Sequence, residues 1–256
     1  MTGMELERVC FRYRDRDPLV LQELSLSIQA GEFVCIVGHS GCGKTTLLRL
    51  LAGLSFPDRG EVRIDGRRVE GPGTDRAVVF QEYPLFPWMT ARKNVQFGIR
   101  QAGKWSRAQI RPRAEEFLAR VGLSHAAARY PAQLSGGMRQ RGSLARALAM
   151  DTEILLMDEP FGALDPGTRR ELQTFLEALW LGDGVRKKTV VFVTHDINEA
   201  VRLADRVICL SRGGIAADLP VTLPRPRSSL DSGAISANET RKALFELFGS
   251  EEVGPC

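Results

Sequence analysis

The chain has no apolar run approaching the ~20 residues that a helix needs to cross a bilayer. Its N-terminus also lacks the basic, apolar and small-residue succession of a signal peptide. If the protein acts at a membrane, another subunit must do the crossing. Charge of one sign is scarce too: 35 basic residues stand against 31 acidic ones, a formal net charge of +4. That balance offers little to a nucleic-acid backbone, so no nucleic-acid partner is expected. The basic cluster around Arg100–Arg113 reads first as a solvated helical face, with a phosphate patch as the other reading. The cysteines Cys10, Cys35, Cys42, Cys209 and Cys256 are odd in number and none are paired at metal-ligand spacing. Reduced thiols in the cytosol fit that pattern. Internal repeats and heptad runs are absent. With 256 residues, 43% hydrophobic and 26% charged, the chain is long enough for one α/β core and a subdomain.

What is present fixes a ligand class. Gly38, His39, Ser40, Gly41, Cys42, Gly43, Lys44 and Thr45 match the phosphate-binding pattern G-x-x-x-x-G-K-[ST], and Thr46 follows. The apolar run Phe33–Val37 before it reads as a buried strand, and Lys44–Leu51 behind it as a helix. The glycines let successive N–H groups face inward as an anion nest, to which the helix N-terminus adds partial positive charge. Lys44 can reach the β- and γ-phosphates, and the Thr45 hydroxyl suits Mg²⁺. Cys42 is either a small residue or an oxidation-sensitive thiol at this loop.

Leu134-Ser135-Gly136-Gly137-Met138-Arg139-Gln140 opens a second helical stretch, with Ser135 as a good N-cap. Two consecutive glycines are costly in a helix start, about 1 kcal/mol each relative to Ala. They make sense if a phosphate approaches the backbone there. Two such sites far apart in sequence suggest two chains sharing each nucleotide. Asp158 and Glu159 end the apolar strand Ile154–Met157, where open α/β sheets place ligand groups. Asp158 is the candidate to hold Mg²⁺ and Glu159 the candidate to polarise an attacking water. Neighbouring strand residues point to opposite faces, so both can serve only if the chain turns here, as Pro160 favours. Exposed strand-end carboxylates are the plainer alternative.

The coarse pattern is α/β. Leu24, Leu26 and Ile28 alternate with polar residues, and Val62–Val69 reads as a hairpin about Asp65-Gly66. These form an antiparallel layer. Continuous apolar runs at 33–37, 77–80, 154–157, 189–193 and 206–210 read as parallel core strands covered on both faces. Between Gln81 and Asp151 helical patterns dominate, at 91–101, 107–121 and 136–150. The expected organisation is an α/β core over 1–81 and 151–215 and an inserted helical subdomain over 82–150. A proline- and serine-rich linker with a short helix then fills 216–256, with Leu244, Phe245, Leu247 and Phe248 on one side of that helix. Asp196 and Glu199 suggest a capping box for a helix over 197–204.

The succession of the phosphate loop, Gln81, Leu134–Gln140, Asp158-Glu159-Pro160, Ala163-Leu164-Asp165 and Thr194-His195-Asp196 resembles the ATP-binding subunit of ABC transporters over about residues 4–227. Phe86-Pro87-Trp88-Met89-Thr90, Asn94-Val95, Met157–Asp165 and Leu223-Pro224-Arg225-Pro226-Arg227 resemble the nitrate, sulfonate and taurine importer branch. The resemblance implies a P-loop NTPase core with a mainly parallel sheet, an antiparallel β layer and an inserted helical subdomain. It implies ATP and Mg²⁺ as ligands, with Thr45, Gln81 and Asp158 about the ion. Catalytic roles fall to Glu159, His195 and Gln81. Tyr13 takes the position that stacks on adenine, with Phe11 competing. Ser135, Gly136, Gly137, Gln140 and Asp165 would meet the nucleotide of a second copy. Taken without the resemblance, His195 reads as a helix-start residue, Gln81 as a polar strand end and Asp165 as a helix cap. His39 departs from a proline common in the family's loop. The hydrophobic stretch Tyr83–Met89 reads either as filler under the helices or as a groove for a helix of a membrane permease. An extracytoplasmic solute-binding protein and a peripheral place on the cytoplasmic face of the inner membrane complete the expectation. A soluble repair or translation ATPase is the rival, but the chain has neither a long coiled-coil insertion nor a second ATPase unit. A non-catalytic nucleotide module is disfavoured by the presence of Glu159 and His195.

Overall fold

The structure, a computed structural model, describes residues 3–82, 85–182, 187–227, 230 and 232–251. Along the chain run β1 (Met4–Phe11), β2 (Leu21–Ile28), β3 (Phe33–Val37), α1 (Lys44–Leu51), β4 (Arg59–Ile64), β5 (Arg67–Arg68) and β6 (Arg76–Val79). The helices α2 (Ala91–Ala102), α3 (Arg107–Arg120) and α4 (Gly136–Ala149) follow, then β7 (Ile154–Asp158) and α5 (Pro166–Leu181). The chain continues through β8 (Thr189–Val193), α6 (Ile197–Leu203), β9 (Arg206–Ser211), β10 (Gly214–Pro220), α7 (Ser232–Ala237) and α8 (Glu239–Glu251). The elements form two compact units, residues 1–72 with 177–256 and residues 73–176.

In the first unit, period-two alternation builds an antiparallel sheet in the order β2-β1-β4-β5. Leu24, Leu26 and Ile28 are buried as the alternation predicts, and Met4 and Leu6 face Ile28 and Leu26 across the ladder. Asp65 and Gly66 adopt φ of 50° and 70°, the mirror-image turn that suits a two-residue hairpin. The parallel strands are β8, β3 and β9, with Cys35 opposite Phe192 on one side and Val207 on the other. Every residue of β3 and β8 is buried, which explains their unbroken apolar runs. Burying each valine or isoleucine there contributes about 1.5–3 kcal/mol. The helices α1 and α6 cover these strands.

Proline and serine predict a linker after residue 215, and the structure corrects this. Gly214–Pro220 pairs antiparallel with β9. Beyond it Arg227 is 1% exposed. Its guanidinium donates to the carbonyls of Val201 at 2.9 Å, Leu223 at 3.1 Å and Val221 at 3.2 Å, and also to that of Ala204. Its backbone N–H donates to Glu177 Oε1 at 2.7 Å. Burial pulls this guanidinium down to about 10. Arg225 joins Asp205 and Glu177 and stacks over the Trp180 ring. The α8 face is also narrower than expected. Leu244 is buried, but Phe245 is 45% exposed and lies under the Arg241 guanidinium. Adjacent residues on a helix do not share a face, so Phe245 turns away from the direction in which Leu244 is buried.

In the second unit β6 pairs parallel to β7, with Val79 opposite Met157. The helices α2, α3 and α4 pack on one another and end within a residue of the pattern-based bounds. Their starts are chemically marked. Thr90 and Ser135 accept from the N–H groups of Lys93 and Met138, and Ser106 forms a capping box with Gln109. Of the hydrophobic stretch, Tyr83 and Pro84 lie outside the described residues. The remainder is locked by buried Asn94, whose amide donates to the carbonyls of Phe86, Met89 and Thr90 while its oxygen accepts from Phe86 N. Phe86 packs on Phe97 and Trp88, and Trp88 stays 69% exposed. No described helix is long and apolar enough to cross a membrane.

Candidate functional site

Between β3 and α1 the backbone must turn within six residues, and at two of them a side chain does not fit. A Cβ on Gly38 would lie 2.4 Å from Leu210 O and 2.6 Å from Cys42 Sγ. One on Gly43, at φ +105°, would lie 2.7 Å from Leu21 Cδ2. Lys44 is 9% exposed, and its ammonium donates to Gly38 O at 2.7 Å and His39 O at 2.8 Å. A buried cation therefore sits inside a loop whose helix also begins there, so the loop suits a polyanion. Gly41, Ser40 and Thr45 are exposed on it and Cys42 is half-buried. The His39 ring packs 4.9 Å from that of Phe248 on α8, a contact that no local pattern in the sequence announces.

Tyr13 and Phe11 now separate. Tyr13 is 56% exposed, its hydroxyl sharing a 2.8 Å hydrogen bond with Thr46 Oγ1. Phe11 is buried and meets the Tyr13 ring edge-on at 5.1 Å. Phe11 thus braces an exposed ring that is tied to the phosphate loop. His195 follows β8, next to β3 in the same sheet, and is exposed. Thr194 N donates to Ile36 O at 3.2 Å, which holds the segment against the strand that leads to Gly38. The expected capping box is replaced by a relay. Asp196 N donates to Thr194 Oγ1 at 3.1 Å, and that hydroxyl donates to Glu199 Oε2 at 2.6 Å. Asp196 itself caps α6 through Asn198 N and Glu199 N.

The second unit gathers another group. Asp158, the last residue of β7, is 2% exposed. Glu159 takes φ +46°, the left-handed region rarely used by residues with a side chain. This is the turn that two adjacent acidic residues require if both are to be used. Gln81 Nε2 donates to Glu159 Oε2 at 3.4 Å, so the amide after β6 meets the carboxylate after β7. Ser135 and Gly136 are exposed at the start of α4, and a Cβ on Gly136 would meet nothing within 4 Å. Asp165 is exposed and caps α5, accepting from Thr168 N at 3.0 Å. Those Thr168 bonds hold its carboxyl below the usual value.

Gln140 departs from expectation. Grouped by sequence with Ser135 as a contact to a second copy, it is 0% exposed. Its Nε2 donates to Glu159 O at 3.4 Å and its Oε1 accepts from Ala163 N at 3.2 Å. Its amide faces its own chain, because the helix turns it inward from the exposed first turn. As for a metal, Thr45, Gln81 and Asp158 offer a hydroxyl, an amide and one carboxylate. Oxygen donors of these kinds, each within its own unit, are the kinds that Mg²⁺ takes beside water and phosphate oxygens. No cage of three or more His, Cys, Asp or Glu occurs among the described residues.

A glycine loop with a buried lysine between a parallel strand and a helix defines a P-loop nucleotide-binding protein. The comparisons narrow the class. The family model described as "ABC transporter" matches residues 21–162, and the chain belongs to that family. It is 45% identical over 240 residues to the nitrate import ATP-binding protein NrtD of Synechococcus elongatus, covering 91% of this chain and 86% of that one. It is 45% identical over 212 residues to the bicarbonate transport ATP-binding protein CmpD of the same organism, covering 81% and 75%. The dimeric post-hydrolysis structure of the ATP-binding cassette MJ0796 with ADP and Pi has a TM-score of 0.76 at 35% identity, covering 86% of this chain and all of that one. The chain is therefore an ABC-type ATPase.

Proposed function

We propose that this chain hydrolyses ATP·Mg²⁺ as one half of a two-chain nucleotide sandwich that drives a membrane importer for a small anionic solute. The observation that carries the reading is the exposed start Ser135-Gly136 of α4, an anion-ready helix N-terminus where a Cβ on Gly136 would meet nothing within 4 Å. The phosphate loop of one copy holds the triphosphate through its N–H groups and Lys44. Tyr13 stacks on the adenine. The glycine turn of the other copy meets the γ-phosphate, with Asp165 beside it. Gln140 is not among these contacts, since it is buried. Bound Mg²⁺ supplies charge neutralisation for the phosphate oxygens, with Thr45, Gln81 and Asp158 as its candidate ligands.

Glu159 draws the proton of the attacking water, and Gln81 holds that carboxylate in place. His195 contacts the γ-phosphate from the β8 end. ATP draws two copies together because both bind its γ-phosphate, and cleavage releases them. The helical segment 82–150 carries exposed Trp88 on the loop fixed by Asn94. An exposed aromatic on a rigid loop suits a short helix from a membrane permease. Nitrate import and bicarbonate transport in the relatives support a small oxyanion as cargo. An external solute-binding protein and a place on the cytoplasmic face belong to the same reading.

Glu159→Gln tests it. Phosphate release should fall by about 10²–10⁴-fold, the usual worth of a general base, while gel filtration with ATP shows an accumulated dimer. Wild-type turnover in this variant, or monomers only, would remove the reading.

A further inference from the structure

Two bonds of the Gln140 amide go to one short loop. Nε2 donates to Glu159 O at 3.4 Å and Oε1 accepts from Ala163 N at 3.2 Å. Glu159 O also accepts from Gly162 N at 3.2 Å. The carbonyl of Glu159 is thus gripped from α4 and from within its own turn. This is the residue that holds φ +46°. A strained backbone conformation persists only where its surroundings over-determine it. Buried polar groups must be bonded, so Gln140, at 0% exposure, keeps its bonds only if the loop keeps its shape. On the side-chain end, Gln81 Nε2 reaches Glu159 Oε2 at 3.4 Å. Backbone and carboxylate are therefore fixed by different glutamines.

We infer that Gln140 is a positioning residue for hydrolysis, bracing residues 159–163 so that the Glu159 carboxylate stands ready for water. The inference rests on the reading of Glu159 as the group that takes the water's proton. It also links two parts of the chain. Gln140 lies five residues beyond Ser135 on the same helix. A phosphate seated at Ser135-Gly136-Gly137 and the backbone of Glu159 are then held by opposite ends of about one and a half helical turns. A rotation of α4 on engaging a second copy moves the brace directly.

The test uses Gln140→Leu in the full chain, alone and combined with Glu159→Gln, with kcat and KM for ATP measured beside a thermal melt. A brace acting through Glu159 lowers kcat by about 10- to 100-fold, as small misplacements of reacting groups do. KM stays within about twofold, and Gln140→Leu adds nothing once the carboxylate is gone, since residues acting as a unit are not additive. If the loss appears in KM, or is repeated in full in the Glu159→Gln background, Gln140 has no such role. If Glu159→Gln alone hydrolyses normally, the assignment of Glu159 falls and this one falls with it. Should Gln140→Leu melt below the assay temperature, Gln140→Glu carries the same test. It keeps an acceptor for Ala163 N but cannot donate to Glu159 O when ionised, and the same kcat loss without a KM change is expected.

Discussion

Two helices in this protein begin behind glycine or with it, and the glycines are there for opposite reasons. At α1 the chain's own packing demands them: Gly38 and Gly43 sit against Leu210 O, Cys42 Sγ and Leu21 at distances that no Cβ tolerates. At α4 packing does not demand Gly136, where a Cβ would enter open space. Glycine there costs helix stability and returns nothing to the single chain. The first site is complete in one molecule, with its own buried lysine. The second is an exposed start at Ser135 and Gly136, where Ser135 Oγ accepts from Met138 N, and on the proposed function another copy completes it. That contrast is what the proposed sharing of a nucleotide between two copies would use.

The largest effect that separates the two sites is on ATP affinity. Lys44→Ala removes the only cation donating to the loop among the bonds described there. A charged hydrogen-bond partner is worth up to about 3 kcal/mol, so affinity should fall by about 100-fold. Ser135→Ala should leave protomer affinity for ATP unchanged by calorimetry. Equal losses in both variants would abolish the distinction between a self-sufficient and a borrowed site.

Alanine in place of each glycine sharpens it further. Gly38→Ala forces a side chain against backbone and should cost about 1–3 kcal/mol in urea denaturation. Gly136→Ala should be neutral or stabilise the single chain by up to about 1 kcal/mol. It should nevertheless weaken the ATP-driven dimer of the Glu159→Gln variant in gel filtration. A variant that is more stable yet assembles worse is hard to explain unless a ligand approaches Gly136. Undiminished dimer formation would mean that no phosphate comes near it.

The same contrast governs what could be read in advance. The phosphate loop was legible because its strand, glycines and helix are contiguous, and local chemistry forces the geometry. The starts of α2, α3 and α4 were legible because Thr90, Ser106 and Ser135 mark them. Gln140 was misread because its partners, Glu159 and Ala163, are 19 and 23 residues away, and no periodicity tells an inward amide from an outward one. The anchoring of Arg227 was hidden for a related reason. Arginine is normally outside, and the carbonyls that bury it come from Val201, Ala204, Val221 and Leu223. The strand β10 was masked by Pro220, its last residue, and by the prolines beyond it, since an edge strand tolerates a residue that a central strand would refuse.

The smallest expected effect lies between the caps of α4 and α5. Ser135 offers a hydroxyl that does not titrate in the accessible range, whereas Asp165 offers a carboxylate. The bonds from Thr168 hold that carboxyl below its ordinary 3.8. A group whose pKa is depressed by folding adds stability above its unfolded pKa, and that stability is lost as pH falls through the lower folded value. The start of α5 should therefore loosen as pH falls below the ordinary carboxylate range, and the start of α4 should not. Asp165→Asn should flatten the acid limb of a urea-midpoint series slightly, because the side chain is exposed and its interactions are screened. Ser135→Asp should add a comparable slope at α4. If Asp165→Asn follows the wild-type curve at every pH, the carboxylate caps nothing in solution, and Asp165 is left facing outward like Gly136, available only to another molecule.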